Sequence, residues 1–182
     1  MSVVVGLVKD GHVYMAADTR ALQDYEMSYC KKLITSTHKQ FGLWAIGASG
    51  YVRNLEIAAE LDLPTLTRAQ KKTTTLHDVS RAFFDAVREE VESRGVLNGG
   101  NSETSFLLGV KGRLFSVDAT FSLREEENLC AIGSGSDYAE GALWALLTYC
   151  PDMPPEQMVR AAVESAAHYN VSVGGDIDVA VL

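Results

Sequence analysis

The chain opens with Val3-Val4-Val5-Gly6-Leu7-Val8, turns at Lys9-Asp10-Gly11 and returns through His12-Val13-Tyr14-Met15-Ala16-Ala17. The first run is rich in β-branched residues, as expected of a buried strand, and the Asp-Gly dipeptide favours a tight hairpin turn. The returning run has the alternating character of a second strand. This stretch therefore predicts a β-hairpin at the start of the fold.

Strands and helices follow this hairpin in groups. Further strands are predicted at Leu33–Ser36, Phe41–Ile46, Ser105–Val110, Arg113–Val117, Leu129–Ile132 and Ile177–Leu182. Helices are predicted after the caps Ser49, Thr75 and Ser136, ending near Asp62, Arg94 and Tyr149, and from about Pro155 to Tyr169. This order favours two packed sheets with helices outside, in one domain spanning residues 1–182.

Composition and charge are those of a globular protein. The 182 residues are 47% hydrophobic and 22% charged, and the formal net charge is −8. Because this charge repels nucleic-acid phosphates and anionic lipids, we expect neither nucleic acid nor membrane as a partner. The longest apolar run, Ala142–Leu147, is too short to span a bilayer, and no signal-peptide pattern is visible.

The cysteines and histidines are too dispersed to predict a metal site or a disulfide framework. Cys30, Cys130 and Cys150 are odd in number, no Cys-x-x-Cys pair occurs, and the four histidines are isolated. We therefore expect a protein of the reducing cytoplasm without a zinc site.

Ser2 can combine a nucleophile with its own base if Met1 is removed. A serine hydroxyl is a weak nucleophile that needs an adjacent base. The free α-amine of a terminal serine has a pKa of about 7.7–8.0 and can accept the hydroxyl proton at neutral pH. A nearby lysine would lower the pKa of that amine, and an aspartate would hold the lysine in place. Each residue type is ordinary when it stands alone, so the hypothesis depends on the set.

Five segments, in order and at nearly constant offset, resemble the proteasome β-subunit family. They are Ala16-Ala17-Asp18-Thr19-Arg20-Ala21, Lys31-Lys32-Leu33, Ile46-Gly47-Ala48, Ala131-Ile132-Gly133-Ser134-Gly135-Ser136 and Gly174-Gly175-Asp176-Ile177-Asp178-Val179-Ala180-Val181. Together they cover almost the whole chain. The compact length is similar to the bacterial homologues of the HslV type. The resemblance implies an α+β fold, the four-layer αββα sandwich of N-terminal-nucleophile hydrolases.

The resemblance also implies a role for each matching residue. Ser2 falls on the terminal nucleophile, Lys32 lowers the pKa of its amine, and Asp18 orients Lys32. The Gly47 amide is expected to bind the oxyanion, and Ser134 to steady the amine or the attacking water.

Further matching positions surround this catalytic group. Arg20, Gly135 and Asn170 are expected to support the site. Small residues at three positions would leave the first specificity pocket open to bulky side chains: Ala21, Ala45 and Ser49.

The sequence departs from the family pattern at several positions. Ser2 replaces the usual threonine and lacks the methyl group that restricts the hydroxyl rotamer. Asn170 stands where the family places an aspartate, and Val173 replaces a serine. Asn170 can form hydrogen bonds but carries no negative charge, and Ser172 is a candidate to compensate by a shifted contact. Lys32 arrives two residues early, so the preceding loop is shortened.

The resemblance predicts a self-compartmentalising peptidase. Polypeptides would be cleaved through an acyl-enzyme, without a metal or organic cofactor. Cleavage would take place inside a stacked double ring of identical subunits, usually fed by a ring-shaped ATPase. A catalytically inactive ring subunit is one alternative, favoured by Asn170 and by any retention of Met1. A small-molecule amidase of the same fold is another, although such enzymes often carry a terminal cysteine and larger insertions. The sequence leaves open whether the ring has six or seven members.

Overall fold

The computed structural model describes residues 2–23, 26–97 and 99–182, so the predicted removal of Met1 lies outside the described residues. The strands are β1 (Val4–Lys9), β2 (His12–Asp18), β3 (Arg20–Gln23), β4 (Glu26–Tyr29), β5 (Leu33–His38), β6 (Gly42–Ser49), β7 (Ser105–Val110), β8 (Arg113–Val117), β9 (Leu123–Glu126), β10 (Leu129–Ile132) and β11 (Ile177–Val181). The helices are α1 (Val52–Glu60), α2 (Leu76–Ser93), α3 (Ser136–Tyr149) and α4 (Pro155–Tyr169), with a 3₁₀ turn at Gln70–Lys72. Among these residues, no helix is long and apolar enough to cross a membrane.

Two antiparallel sheets form the middle of the molecule. The first has the strand order β10-β1-β2-β11 and the second the order β5-β6-β7-β8-β9, while β3 and β4 form a separate hairpin. Helices α3 and α4 pack on the outer face of the first sheet, and α1 and α2 on the outer face of the second. The fold is therefore α+β, the four-layer αββα sandwich that the sequence predicts.

The hydrophobic core has three layers, one between each sheet and its helices and one between the two sheets. Side chains that alternate along the strands contribute to these layers. In β1, Val5 and Leu7 face α3 and α4, whereas Val4 faces the second sheet. In β6, Trp44 packs beneath α2 and Ala45 faces the first sheet. Successive residues of a strand point to opposite faces, so each inner strand contributes to two layers at once. Burial of each large apolar side chain stabilises the sandwich by about 1.5–3 kcal/mol.

The first hairpin has the turn that its sequence predicts. Lys9 pairs with His12, so Asp10 and Gly11 form a two-residue loop with φ values of 52° and 77°. Positive φ at both loop residues is the requirement of a type I′ turn, which matches the twist of the flanking strands. As a result, the residues before β1 lie beside the end of β2.

Two helix caps predicted from the sequence are wrong. Ser49 is the last residue of β6 and pairs with Ser105, and α1 begins only after Tyr51. Ser136 is already the first residue of α3, whose N-cap is Gly135. A serine near a helix start fits a strand end, a cap or a first-turn position equally well, and only the backbone path distinguishes them.

The other helix starts agree with the prediction. Thr75 caps α2 in a capping box, because its hydroxyl accepts from the Asp78 amide at 3.1 Å while the Asp78 carboxylate accepts from the Thr75 amide at 2.8 Å. Helix α4 begins at Pro155, where proline lacks only an amide that a helix start does not use.

The sequence analysis did not predict three short strands. Strands β3, β4 and β9 have four residues each, and every residue of β4 is exposed. Such strands show no alternation of buried and exposed positions, so periodicity cannot find them. The missed β3–β4 hairpin matters because it forms one wall of the candidate site.

Candidate active site

A cavity of about 800 Å³ opens beside Ser2, just before β1. Its walls come from the β3–β4 hairpin, the segment before β5 and the connection between β6 and α1. This volume falls in the usual range of ligand pockets and can hold a large side chain of a peptide. Residues on its wall include Ser2, Ala21, Leu22, Lys32, Ala48 and Gly50.

Ser2 is held on two sides and is only 2% exposed. Its hydroxyl donates a hydrogen bond to Ser49 Oγ at 2.7 Å. Its carbonyl oxygen accepts from the Gly135 amide at 3.3 Å and from the Ser134 hydroxyl at 3.5 Å. Gly133 has a φ of 101° and passes so close that a Cβ there would lie 2.2 Å from the Ser2 carbonyl oxygen. The turn before α3 therefore fixes the start of the chain.

Asp18 and Lys32 form a buried ion pair next to Ser2. The Lys32 ammonium donates to Asp18 Oδ1 at 2.8 Å, and the two residues are 4% and 0% exposed. The same Oδ1 accepts from the Val3 amide at 2.9 Å, and Oδ2 accepts from the Gly174 amide at 3.0 Å. Burial lowers the pKa of Lys32, and the hydrogen bond and charge of Asp18 oppose this effect. The Lys32 ammonium, whose pKa is lowered, is thus connected to the Ser2–Val3 peptide through Asp18. One hydrogen bond joins Lys32 to Asp18, and a second joins Asp18 to the Val3 amide.

Arg20 supports this ion pair from the other side. Its carbonyl oxygen accepts from the Lys32 ammonium, and its guanidinium donates to the carbonyl oxygens of Val171 at 2.8 Å and Val173 at 3.2 Å. Its amide donates to Gly174 O at 2.8 Å. Arg20 therefore connects β3 to the segment that precedes β11. It contacts both Lys32 and Gly174, which are hydrogen-bond partners of Asp18.

Gly47 lies at a different place from the one expected of an oxyanion donor. The Ala48 amide donates to Lys32 O at 3.0 Å, so it points to the β5 edge of β6. Because successive amides of a strand point to opposite edges, the Gly47 amide faces β7, where Leu107 is its partner. A Cβ on Gly47 would lie 2.5 Å from Val4 Cγ1, so close sheet packing explains the glycine. Gly47 is engaged in the sheet and does not line the cavity.

Ser134, Asn170 and Ser172 form a hydrogen-bonded cluster beside Ser2. Asn170 Nδ2 donates to Ser134 O at 2.7 Å, while its Oδ1 accepts from the amide and hydroxyl of Ser172 at 3.0 and 2.5 Å. The hydroxyls of Ser172 and Ser134 lie 3.3 Å apart. Ser172 therefore contacts Asn170 and Ser134, and its compensating role in supporting the Ser2 amine stays a prediction.

The three residues expected to form the specificity pocket are separated by the structure. Ala21 lines the cavity. Ser49 binds the Ser2 hydroxyl, and Ala45 is fully buried between the sheets and does not reach the cavity wall. The family resemblance marked these positions, and a match in sequence carries no information on the face of the strand to which a side chain points.

Cys30 lines the same cavity and was not singled out by the sequence. Burial raises the pKa of its thiol, so the protonated and unreactive form is favoured. Among the described residues, no group of three or more histidine, cysteine or acidic side chains could hold a metal ion. The Ser2 hydroxyl beside the buried Lys32–Asp18 pair is an arrangement that can support nucleophilic attack.

Two sheets enclosed by helices, with a buried serine at the start of β1 beside a lysine and an aspartate, define the fold class of N-terminal-nucleophile hydrolases. The family model described as "Proteasome subunit" matches residues 2–182. The chain therefore belongs to the proteasome subunit family.

Solved structures share this fold. BPH from Thiobacillus denitrificans aligns with a TM-score of 0.79 at 22% identity, covering 99% of this chain and 97% of that chain; it has also been solved in complex with epoxomicin. HslV from Trypanosoma brucei aligns with a TM-score of 0.68 at 18% identity, covering 99% and 98%. Anbu from Pseudomonas aeruginosa, described as a helical assembly, aligns with a TM-score of 0.77 at 18% identity, covering 99% and 80%. At these identities the likeness shows the fold alone.

Proposed function

We propose that this chain is a peptidase subunit that uses Ser2 as an N-terminal nucleophile after removal of Met1. The observation that carries the proposal is the buried Lys32–Asp18 pair, held next to Ser2 at the wall of a cavity large enough for a peptide side chain. A buried charge pair is costly to form, so its position beside Ser2 supports a role in the proposed site. Membership of the proteasome subunit family supports peptide hydrolysis as the reaction.

The proposed reaction proceeds in two halves. Ser2 Oγ attacks the peptide carbonyl carbon while the α-amine of Ser2 takes the hydroxyl proton. The amine then gives this proton to the leaving nitrogen, and an acyl-enzyme remains on Ser2. Water then attacks the acyl carbonyl carbon while the same amine takes its proton. The ester bond to Ser2 Oγ breaks, the amine returns the proton to Ser2 Oγ, and the product acid leaves. Lys32 keeps the amine unprotonated through its positive charge, Asp18 holds Lys32, and Ser134 steadies the amine or the water.

The oxyanion needs a donor other than Gly47, whose amide belongs to the sheet. Gly50 lines the cavity with Ser2, and its amide donates to none of the described residues. The next amide, that of Tyr51, already donates to Thr104 Oγ1 at 3.1 Å. We therefore assign the oxyanion to the Gly50 amide in the proposed mechanism.

Intact mass spectrometry with a peptide epoxyketone tests the nucleophile. This reagent requires both a terminal hydroxyl and a free α-amine. Protein expressed without an N-terminal tag is expected to lack methionine and to gain the mass of one inhibitor. A Ser2→Ala variant, processed in the same way, is the matched control and should remain unmodified. Wild-type protein that keeps Met1 and its unmodified mass would contradict the assignment.

The proposal includes assembly into a ring of identical subunits, stacked as a double ring and fed polypeptides by a ring-shaped ATPase in the cytoplasm. Family membership supports this assembly. It also explains how an open cavity of this size could be kept from folded proteins, since enclosure inside a ring would limit access to unfolded chains.

A catalytically inactive ring subunit is the second candidate, favoured by the neutral Asn170 beside Ser134. An inactive subunit would assemble as a ring but would form no epoxyketone adduct. A small-molecule amidase would form no ring. The two measurements, adduct mass and native mass, therefore separate all three functions.

A further inference from the structure

Ser49 contacts the proposed nucleophile directly. Its Oγ lies 2.7 Å from Ser2 Oγ, at the end of β6. The backbone of Gly133 encloses both residues, because a Cβ at that glycine would lie 2.6 Å from Ser49 Oγ and 2.2 Å from Ser2 O. The two hydroxyls therefore face each other beside the backbone of Gly133.

A serine nucleophile needs a restraint that a threonine provides for itself. The γ-methyl of threonine limits its χ1 angle, whereas a serine side chain has three staggered positions available. Only a position that directs Oγ into the cavity allows attack on a bound peptide. A hydrogen bond to a fixed partner selects one of the three positions.

We propose that Ser49 is a positioning residue that holds Ser2 Oγ in its attacking rotamer and so offsets the missing γ-methyl. Its role rests on the proposed function of Ser2. In the resting site the Ser2 hydroxyl donates to Ser49 Oγ. When the α-amine takes the Ser2 proton, the Ser49 hydroxyl reverses its direction and donates to the Ser2 oxygen, which then carries the developing negative charge. Ser49 keeps its own proton throughout.

Kinetics of Ser49→Ala test this role. Loss of one hydrogen bond is expected to lower kcat and the rate of epoxyketone labelling roughly three- to tenfold, with KM changed less than about twofold. Ser49→Thr keeps the hydroxyl and should restore most of the rate. Ser36→Ala, an exposed serine of β5 outside the cavity, is the matched control and should leave both rates unchanged.

The decisive comparison repeats Ser49→Ala in a Ser2→Thr background. Since the threonine methyl restricts χ1 by itself, the loss caused by Ser49→Ala should shrink to less than about twofold there. Equal losses in both backgrounds, or no loss with Ser2, would overturn the positioning role. An absence of labelling in the wild-type protein would instead overturn the proposed function, and the role of Ser49 with it.

A crystal structure of Ser49→Ala gives a second readout if the double variant does not fold. Ser2 is expected to occupy more than one χ1 rotamer in that structure. One fully occupied rotamer, the same as in the wild-type protein, would contradict the proposal.

Discussion

At the scale of single residues, the site depends on the hydrogen bonds that the two carboxylate oxygens of Asp18 accept. One oxygen accepts from Lys32 and from the Val3 amide, and the other accepts from the Gly174 amide. The carboxylate therefore joins the chain start, the lysine and the segment before β11. An asparagine could not replace it, because its amide nitrogen cannot accept a hydrogen bond.

Lys32→Met should abolish epoxyketone labelling and lower the free energy of unfolding by about 3 kcal/mol. The loss arises because Asp18 stays buried without its counter-ion. Urea unfolding measures the stability and intact mass measures the labelling. Lys31→Met is the matched control for stability, because the Lys31 side chain is exposed. If Lys31→Met unfolded at a urea concentration as low as that of Lys32→Met, the explanation by the unpaired Asp18 would be wrong.

The lowered pKa of Lys32 predicts how stability changes with pH. The folded protein releases this proton at a lower pH than the unfolded chain, whose lysine pKa is about 10.4. Between these two pKa values the unfolded state binds more protons, so the contribution of Lys32 to the free energy of unfolding rises with pH. Urea unfolding between about pH 8 and pH 10 should therefore show a more positive slope for wild type than for Lys32→Met. Parallel slopes would show that the pKa is not lowered.

At the scale of elements, the turn between β10 and α3 connects the helical layer to Ser2, the proposed nucleophile. It supplies the Gly135 amide and the Ser134 hydroxyl that bind the Ser2 carbonyl oxygen. Gly133 permits this approach because its φ of 101° is unfavourable for other residues. The conformation of this turn thus allows its backbone and the Ser134 side chain to contact Ser2.

Gly133→Ala is expected to destabilise the fold and to stop labelling. The added Cβ would lie 2.2 Å from the Ser2 carbonyl oxygen, and the positive φ adds backbone strain, so we expect a loss of about 2–3 kcal/mol. Gly141→Ala is the matched control within α3. Apart from the surrounding backbone of the helix itself, no atom lies within 4 Å of its added Cβ, and alanine favours a helix over glycine by about 1 kcal/mol. Thermal unfolding should therefore move in opposite directions for the two variants.

At the scale of the whole molecule, the site lies where the two sheets and one helical layer meet. Strand β1 begins beside Ser2, β2 ends at Asp18, and β5 begins just after Lys32. The two central strands belong to one sheet and the third to the other, so the Asp18–Lys32 pair bridges the sheets. Packing of the sheets therefore builds the site at the same time as the core.

Native mass spectrometry is expected to find an assembly many times heavier than one chain. The proposed double ring would keep each cavity inside a shared chamber, which only unfolded chains enter. Size-exclusion chromatography at several concentrations provides the control for weak association. A monomer or dimer would remove the ring from the proposal and favour the amidase alternative.

The sequence by itself determined much of the architecture. The β1–β2 hairpin follows from Asp10-Gly11, because few other dipeptides accept two positive φ values in succession. The order of strand and helix groups follows from local periodicity, and the capping box of Thr75 follows from a spacing of three residues. Ser2, Asp18 and Lys32 were recognisable as a set because their motifs occur in a fixed order along the chain.

Only the tertiary structure decided which atoms of these motifs face the cavity. The contact of Ser49 with Ser2, and the engagement of the Gly47 amide with β7, depend on the edge and the face of β6 that each residue presents. A shift of one residue in pairing reverses both properties, and nothing local in the sequence reports it. Register is set by the packing of two sheets whose strands are distant in sequence. This packing places Ser49 in contact with Ser2, the proposed nucleophile, and not at the N-cap of α1.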